Sequence, residues 1–120
     1  MKFNIPGIDA KKGLDLYDGD EEIYILVLRS FAKNVPTSLD KLRNISAETL
    51  PNYLIGIHGF KGTSANIGAE DAREKAKVLE AMAKSGDLAG VQARNDAFLK
   101  EADTLIADIN AWLEKNAPEE

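Results

Sequence analysis

Apolar residues recur along most of this chain at steps of three and four, and the alternation typical of a strand is nearly absent. The clearest stripe comprises Tyr24, Leu28, Phe31, Val35, Leu39 and Leu42. Side chains at this spacing share one face of an α-helix, so the pattern predicts a long helix with one buried face. Pro36 lies inside that helix and lacks an amide hydrogen, which predicts a kink or a break near residues 34–35.

Three further long segments share this helical character. One runs over residues 50–66 and ends before Gly68, and the next covers residues 69–84, which are rich in alanine, lysine and glutamate. The Ser-Gly pair at 85–86 ends that helix, and Asp87 is a good N-cap for the last one. The apolar positions of the last helix are Leu88, Val91, Phe98, Leu105, Ile109 and either Trp112 or Leu113.

A shorter helical turn is predicted after Asp9, because glycines at positions 13 and 19 bound it. Amphipathic helices joined by short connections must bury their apolar stripes against one another. We therefore expect an all-α fold, an antiparallel four-helix bundle with a short extra N-terminal helix. The chain fits a single domain over residues 1–120, with a core from about 9 to 116 and an acidic tail at 117–120.

Composition narrows the possible functions. The formal charge of −5 and the pI of about 4.9 disfavour binding to nucleic acid or to an anionic membrane surface. Without cysteine and with a single histidine, an all-protein zinc site would need three or more carboxylates, which is rare. The N-terminus has no apolar stretch of signal-peptide length, and the run "IYILVL" is too short to span a membrane, so the expected location is the cytoplasm.

The single histidine, His58, lies in the third helix. Five positions of that helix fall within roughly 80° of one another and form its core side. They are Tyr53, Ile57, Phe60, Ser64 and Ile67. His58 lies about 140° from their centre, so we expect it to face away from the core. A lone histidine is most often an ordinary core or surface residue. Whether His58 has a function therefore has to be inferred from the residues around it.

Three glycines surround His58, although each glycine inside a helix costs roughly 1 kcal/mol relative to alanine. Gly56 and Gly59 lie nearer the core and are expected to admit a neighbouring helix. Gly62 shares the outward face and leaves room for another molecule, while Lys61 places a cation three residues from the imidazole. A neutral exposed imidazole is a nucleophile, and a nearby cation offsets phosphoryl charge. The pattern favours a phosphoryl acceptor, and the chain has no GxxxxGK[ST] nucleotide loop.

The segment "HGFKGTSANIGA", residues 58–69, resembles the signature of the histidine phosphotransfer (HPt) domains of phosphorelays. In that signature Lys-Gly stands three and four residues after the histidine, a small residue six after it and Gly-Ala ten and eleven after it. Residues 5–34 and 77–91 are similar to the first and the following helices of the family. Relatives commonly carry Thr, Ser or Ala where this chain has Gly59.

The resemblance implies an HPt bundle that is phosphorylated on His58 and exchanges the phosphoryl group with the aspartate of a receiver domain. That receiver is expected to supply Mg²⁺, and this chain is expected to bind no cofactor or metal of its own. Lys61 corresponds to the cation that faces the phosphoryl group, and Gly62 to the residue that allows access. Glu80, in "VLEAM", matches the position of a Glu or Gln that accepts the Nδ1 proton of the histidine.

Other positions near His58 are expected to serve docking or packing. An apolar rim for the receiver is predicted at Leu54, Ile55 and Ala65, unless some of these residues pack under the leading helix. Lys77 and Lys84 flank Glu80 and would add positive potential, although such charges more commonly mark a solvated helix face. Ser64 is expected to pack in the core or to bond back to a helix carbonyl.

The expected function is therefore that of a phosphocarrier without kinase machinery. Its expected partners are receiver domains and a sensor histidine kinase, and we expect a monomer because no helix face forms a clear oligomer seam. The alternative is a helical adaptor or inhibitor that binds receivers or a kinase without turning over phosphate. The intact His58, Lys61 and Gly62 favour the carrier over the adaptor.

Overall fold

A computed structural model describes residues 1–118 of the chain and contains five helices and no strand within them. The helices are α1 (Ala10–Asp15), α2 (Glu21–Asp40), α3 (Leu50–Ala65), α4 (Glu70–Lys84) and α5 (Leu88–Asn116). The fold is all-α, a helical bundle with a short N-terminal helix, as the sequence predicts. None of these helices is both long and apolar enough to cross a membrane.

The four long helices pack in a ring in which α2 contacts α3, α3 contacts α4, α4 contacts α5 and α5 contacts α2. At about 1.5 Å per residue, α5 is about 44 Å long and spans the 45 Å long axis of the molecule. Connections of four residues between α3 and α4, and of three between α4 and α5, join helices that lie side by side. Each of these two pairs is therefore antiparallel.

The predicted stripes form the core. All six predicted apolar positions of the first long helix, and the five core-side positions of the third predicted helix, are buried. The last of the six, Leu42, lies in the connection after α2, because the helix ends at Asp40. Phe60 of α3 lies between Phe31 of α2 and Phe98 of α5, with ring centroids 6.3 and 5.1 Å from it. This aromatic contact joins three helices directly beneath the outward face of α3.

Of the kink or break predicted near residues 34–35, the break is wrong. Helix α2 runs through Pro36 without interruption to Asp40. Pro36 itself is exposed, whereas Val35 and Leu39 on either side are buried in the core. A proline removes one backbone hydrogen bond, and the burial of the flanking side chains holds the helix together across it.

The N-terminal residues close one end of the bundle. Phe3 and Ile5 are buried, so the core includes residues ahead of Asp9. Phe3 stacks on Trp112 of α5 at 4.7 Å between ring centroids, and the Trp112 indole donates a hydrogen bond to the Lys2 carbonyl. Helix α5 ends at Asn116, and of the predicted tail at 117–120 the last two residues lie outside the described part of the chain.

Three consecutive carbonyls after α3, at residues 66–68, accept hydrogen bonds from the N-terminal region, by which we mean residues 1–24, including the first turn of α2. The Tyr17 and Tyr24 hydroxyls donate to the first two at 2.7 Å each, and the Asp9 amide donates to the third at 2.8 Å. Carbonyls at a helix C-terminus have no partner inside the helix, so outside donors have to satisfy them. The N-terminal region thereby fixes the connection between α3 and α4.

Gly68 makes this close approach possible. Its φ of +76° lies in the left-handed region, and a Cβ there would lie 2.3 Å from the Asp9 carbonyl oxygen. Gly86, between α4 and α5, has a similar φ of +78° but open space around it. The two glycines therefore share a backbone conformation and differ in their surroundings.

Replacing Gly68 by alanine should lower the free energy of unfolding by more than about 3 kcal/mol, because backbone strain and a clash with Asp9 add together. The matched variant Gly86→Ala carries only the strain and should lose about 1 kcal/mol. Urea unfolding followed by circular dichroism measures both values. Equal losses would show that the contact with Asp9 does not constrain the connection.

Candidate functional site

His58 lies in the middle of α3 and faces outward. Its side chain is 70% exposed, while its neighbours Ile57 and Phe60 are buried. The predicted orientation of the histidine is thus confirmed. Its ring is accessible to a second macromolecule from the solvent side.

Glu80 of α4 joins the two other polar residues of the site. The His58 Nδ1 atom is hydrogen-bonded to Glu80 Oε2, and the Lys61 ammonium donates to Glu80 Oε1 at 2.5 Å. The side chains of Glu80 and Lys61 are only 16% and 29% exposed. One largely buried carboxylate therefore binds two groups that are three residues apart on α3.

The charge of Glu80 determines which ring nitrogen of His58 carries the proton. The hydrogen bond from Lys61, and secondarily that from His58, lowers the pKa of the Glu80 carboxyl group below its ordinary value. Glu80 is consequently ionised at neutral pH and can only accept hydrogen bonds. The proton in the contact therefore belongs to Nδ1 of His58, and the tautomer of the neutral ring that fits this contact carries its lone pair on Nε2.

The glycines around His58 differ in their surroundings. A Cβ at Gly56 would lie 2.7 Å from Leu42 Cδ2, so the predicted close packing at Gly56 is confirmed, with a residue of the α2–α3 connection rather than a helix as the neighbour. Close packing at Gly59 is wrong, since a Cβ there would meet nothing within 4 Å. Gly62 is also exposed and open, as predicted. Gly59 and Gly62 both leave the outer surface of α3 without side chains beside the histidine.

The residues expected to dock a partner lie around His58 on two helices. Ile55, one turn before His58, is 72% exposed, whereas Leu54 and Ala65 are partly buried. Lys84 is exposed in the last turn of α4, one turn beyond Glu80. Helix α1 lies at the other end of α3, beside Ile67 and Gly68, and so does not cover Leu54 or Ile55.

A hydroxyl that the sequence analysis did not consider supports the glycine-rich turn. The Thr63 hydroxyl donates to the Gly59 carbonyl at 2.9 Å. Ser64, for which such a bond was one of two expectations, is fully buried, and within residues 1–118 its hydroxyl has no partner. The spacing of four residues between Gly59 and Thr63 was the available signal.

Among residues 1–118, no group of three or more histidine, cysteine, aspartate or glutamate side chains is arranged to hold a metal ion. The site consists of His58, Lys61 and Glu80, with the open surface at Gly59 and Gly62 beside them.

Replacing Lys61 by glutamine should raise the pKa of Glu80, because it removes the stronger of the two stabilising hydrogen bonds. The wild-type contact stabilises the folded protein above about pH 4.5 and is lost as the pH falls through the lowered pKa. Carboxyl ¹³C chemical shifts against pH measure the change. Glu70, whose lowered pKa comes from Lys12 and Arg73, is the internal control and should not move. An unmoved Glu80 would contradict the assigned cause.

Comparison of the chain with known protein families, with characterised proteins and with solved structures finds no match. Two features of the chain therefore bear on its function, the motif of residues 58–69 and the geometry around His58. Both concern the same turn of α3 and its contact with α4.

Proposed function

We propose that this protein is a phosphocarrier that accepts a phosphoryl group on His58 and exchanges it with the aspartate of receiver domains. The observation that carries the proposal is the exposed His58 ring, whose Nδ1 is bonded to the ionised Glu80. This arrangement orients the exposed ring and leaves Nε2 as the nitrogen that can react. The match of residues 58–69 to the HPt signature supports the same conclusion.

In the transfer step the Nε2 lone pair attacks the phosphorus of an aspartyl phosphate. The N–P bond forms, and the P–O bond to the receiver carboxylate breaks with its electron pair staying on that carboxylate. The imidazole keeps its Nδ1 proton and gains a positive charge, which Glu80 stabilises from Oε2. The reverse step returns the phosphoryl group to a receiver aspartate, so one site can both load and unload.

Lys61 has a second role in this proposal. Its ammonium group carries three donors and uses one on Glu80 Oε1. A phosphoryl group on Nε2 would bring further negative charge next to this cation, and the remaining donors of Lys61 are available to bind it. Lys61 thus links the carboxylate that orients the ring to the group that is transferred.

The open surface around the ring fits a macromolecular partner better than a small substrate. Because Gly59 and Gly62 have no side chains, nothing at these positions keeps a second protein from approaching the ring. Ile55 offers an exposed apolar contact beside them. A receiver domain would supply Mg²⁺ and the acceptor aspartate. A sensor kinase is the second proposed partner class, because this chain has no Walker-type nucleotide loop.

Incubation with a receiver domain that carries radiolabelled aspartyl phosphate, in the presence of Mg²⁺, should transfer label to the wild-type protein. The label should be acid-labile and alkali-stable, as expected of a phosphoramidate, and His58→Gln should remove it. Labelling that persists in His58→Gln would contradict the assignment of the acceptor. Receivers that bind the protein without any transfer would instead favour the adaptor function.

Replacing Gly62 by glutamine should slow phosphoryl transfer at least about tenfold, because a long side chain would obstruct the approach to the imidazole. The variant should be as stable as the wild type or slightly more so, since glutamine is a better helix former and nothing inside the protein lies within 4 Å of the new Cβ. Ala93→Gln, at an exposed position of α5, is the matched control and should transfer normally. Unchanged transfer in Gly62→Gln would remove Gly62 from the site.

A further inference from the structure

Two lysines of α4 that flank the site lack an ion-pair partner among residues 1–118. The chain has 20 acidic and 15 basic residues, and several of its cations, including Lys12, Lys61 and Arg73, are paired with carboxylates. Lys77 and Lys84 are exposed, and neither forms an ion pair with any residue that the structure describes. Their charges are therefore available to an outside molecule.

The positions of these two lysines relate them to His58. Lys77 lies three residues before Glu80 and Lys84 four residues after it, so all three share one face of α4, the face turned toward α3. Glu80 itself is balanced by Lys61. Lys77 and Lys84 therefore place two positive charges without an ion-pair partner among residues 1–118 on this side of His58, in a protein whose net charge is −5.

We propose that Lys77 and Lys84 steer an acidic receiver domain onto His58 and determine how fast the two proteins associate. This inference rests on the proposed function. A receiver that holds Mg²⁺ beside its aspartate must gather carboxylates there, because oxygen ligands are the ones that Mg²⁺ prefers. The face of the receiver that has to meet His58 therefore carries carboxylates, and the charges of Lys77 and Lys84 are complementary to them.

The three lysines near the site thus have different tasks. Lys61 contacts Glu80 and stands next to the reacting atoms. Lys77 and Lys84 are a helical turn away from Glu80 on either side, so they act through the field that the approaching partner meets. Such a field reaches about one Debye length, roughly 10 Å at 0.1 M salt, and it is screened as the salt concentration rises.

The test compares Lys77→Glu/Lys84→Glu with the wild type, using the phosphorylated receiver domain that gives the most label in the experiment above. At low ionic strength the second-order rate constant of transfer should fall about tenfold or more. The loss should appear in KM rather than in kcat, and it should shrink to less than about twofold at high salt. The neutral pair Lys77→Gln/Lys84→Gln should lie in between.

The control variant is Lys100→Glu/Lys115→Glu on α5, the helix diagonally opposite α3 in the ring. It makes the same change in net charge, and Lys115 occupies the last turn of its helix as Lys84 does. Its rate should stay within about twofold of the wild type, because its charges lie on the far side of the molecule. Equal losses in the two charge-reversed pairs, or a loss that persists at high salt, would overturn the steering role while leaving the carrier function intact. Absence of transfer to the wild type would overturn both.

Discussion

The connection between α3 and α4 is the constraint on which the site depends. His58 stands eleven residues before Ala69 and Glu80 eleven residues after it. The turn at residues 66–69 joins α3 and α4 as an antiparallel pair, and the bond between His58 and Glu80 shows that these two positions come to the same level of the two helices. The left-handed conformation of Gly68 makes that turn possible, and the donors from the N-terminal region hold its carbonyls in place. The register of the two helices, and so the contact between His58 and Glu80, follows from this turn.

Much of the fold could be predicted because burial is encoded by local periodicity. The apolar stripes of α2 and α3 identified the buried faces of both helices, and the same helical spacing placed His58 on the outer face of α3. What failed were expectations that treated one residue in isolation. Pro36 was expected to kink or break its helix, but the helix does not break there, and the burial of Val35 and Leu39 on either side holds it together. The bonds from Tyr17 and Tyr24 to carbonyls more than forty residues away leave no local pattern in the sequence.

The candidate site could be predicted in part, for a similar reason. The position of Gly62 on the outer face followed from helical spacing, whereas Gly59 was assigned to packing because its angle is closer to the core. Whether a glycine contacts a neighbouring element depends on how closely that element packs against the helix. The spacing of residues along one helix gives no information about this distance. The place of Glu80 came from the resemblance to HPt domains. The sharing of its carboxylate between Lys61 and His58 became evident only with both helices in place.

The contact between Trp112 and Phe3 makes Trp112 an intrinsic fluorescent probe of the N-terminal segment. Trp112 is the single tryptophan of the chain, and its indole touches the N-terminal segment through both its ring face and its nitrogen. It lies fourteen residues beyond Phe98 along α5, about 21 Å from the aromatic contact beneath α3. Its fluorescence therefore reports whether the N-terminal segment is seated on the bundle, at a place remote from the surface where a partner would meet the histidine.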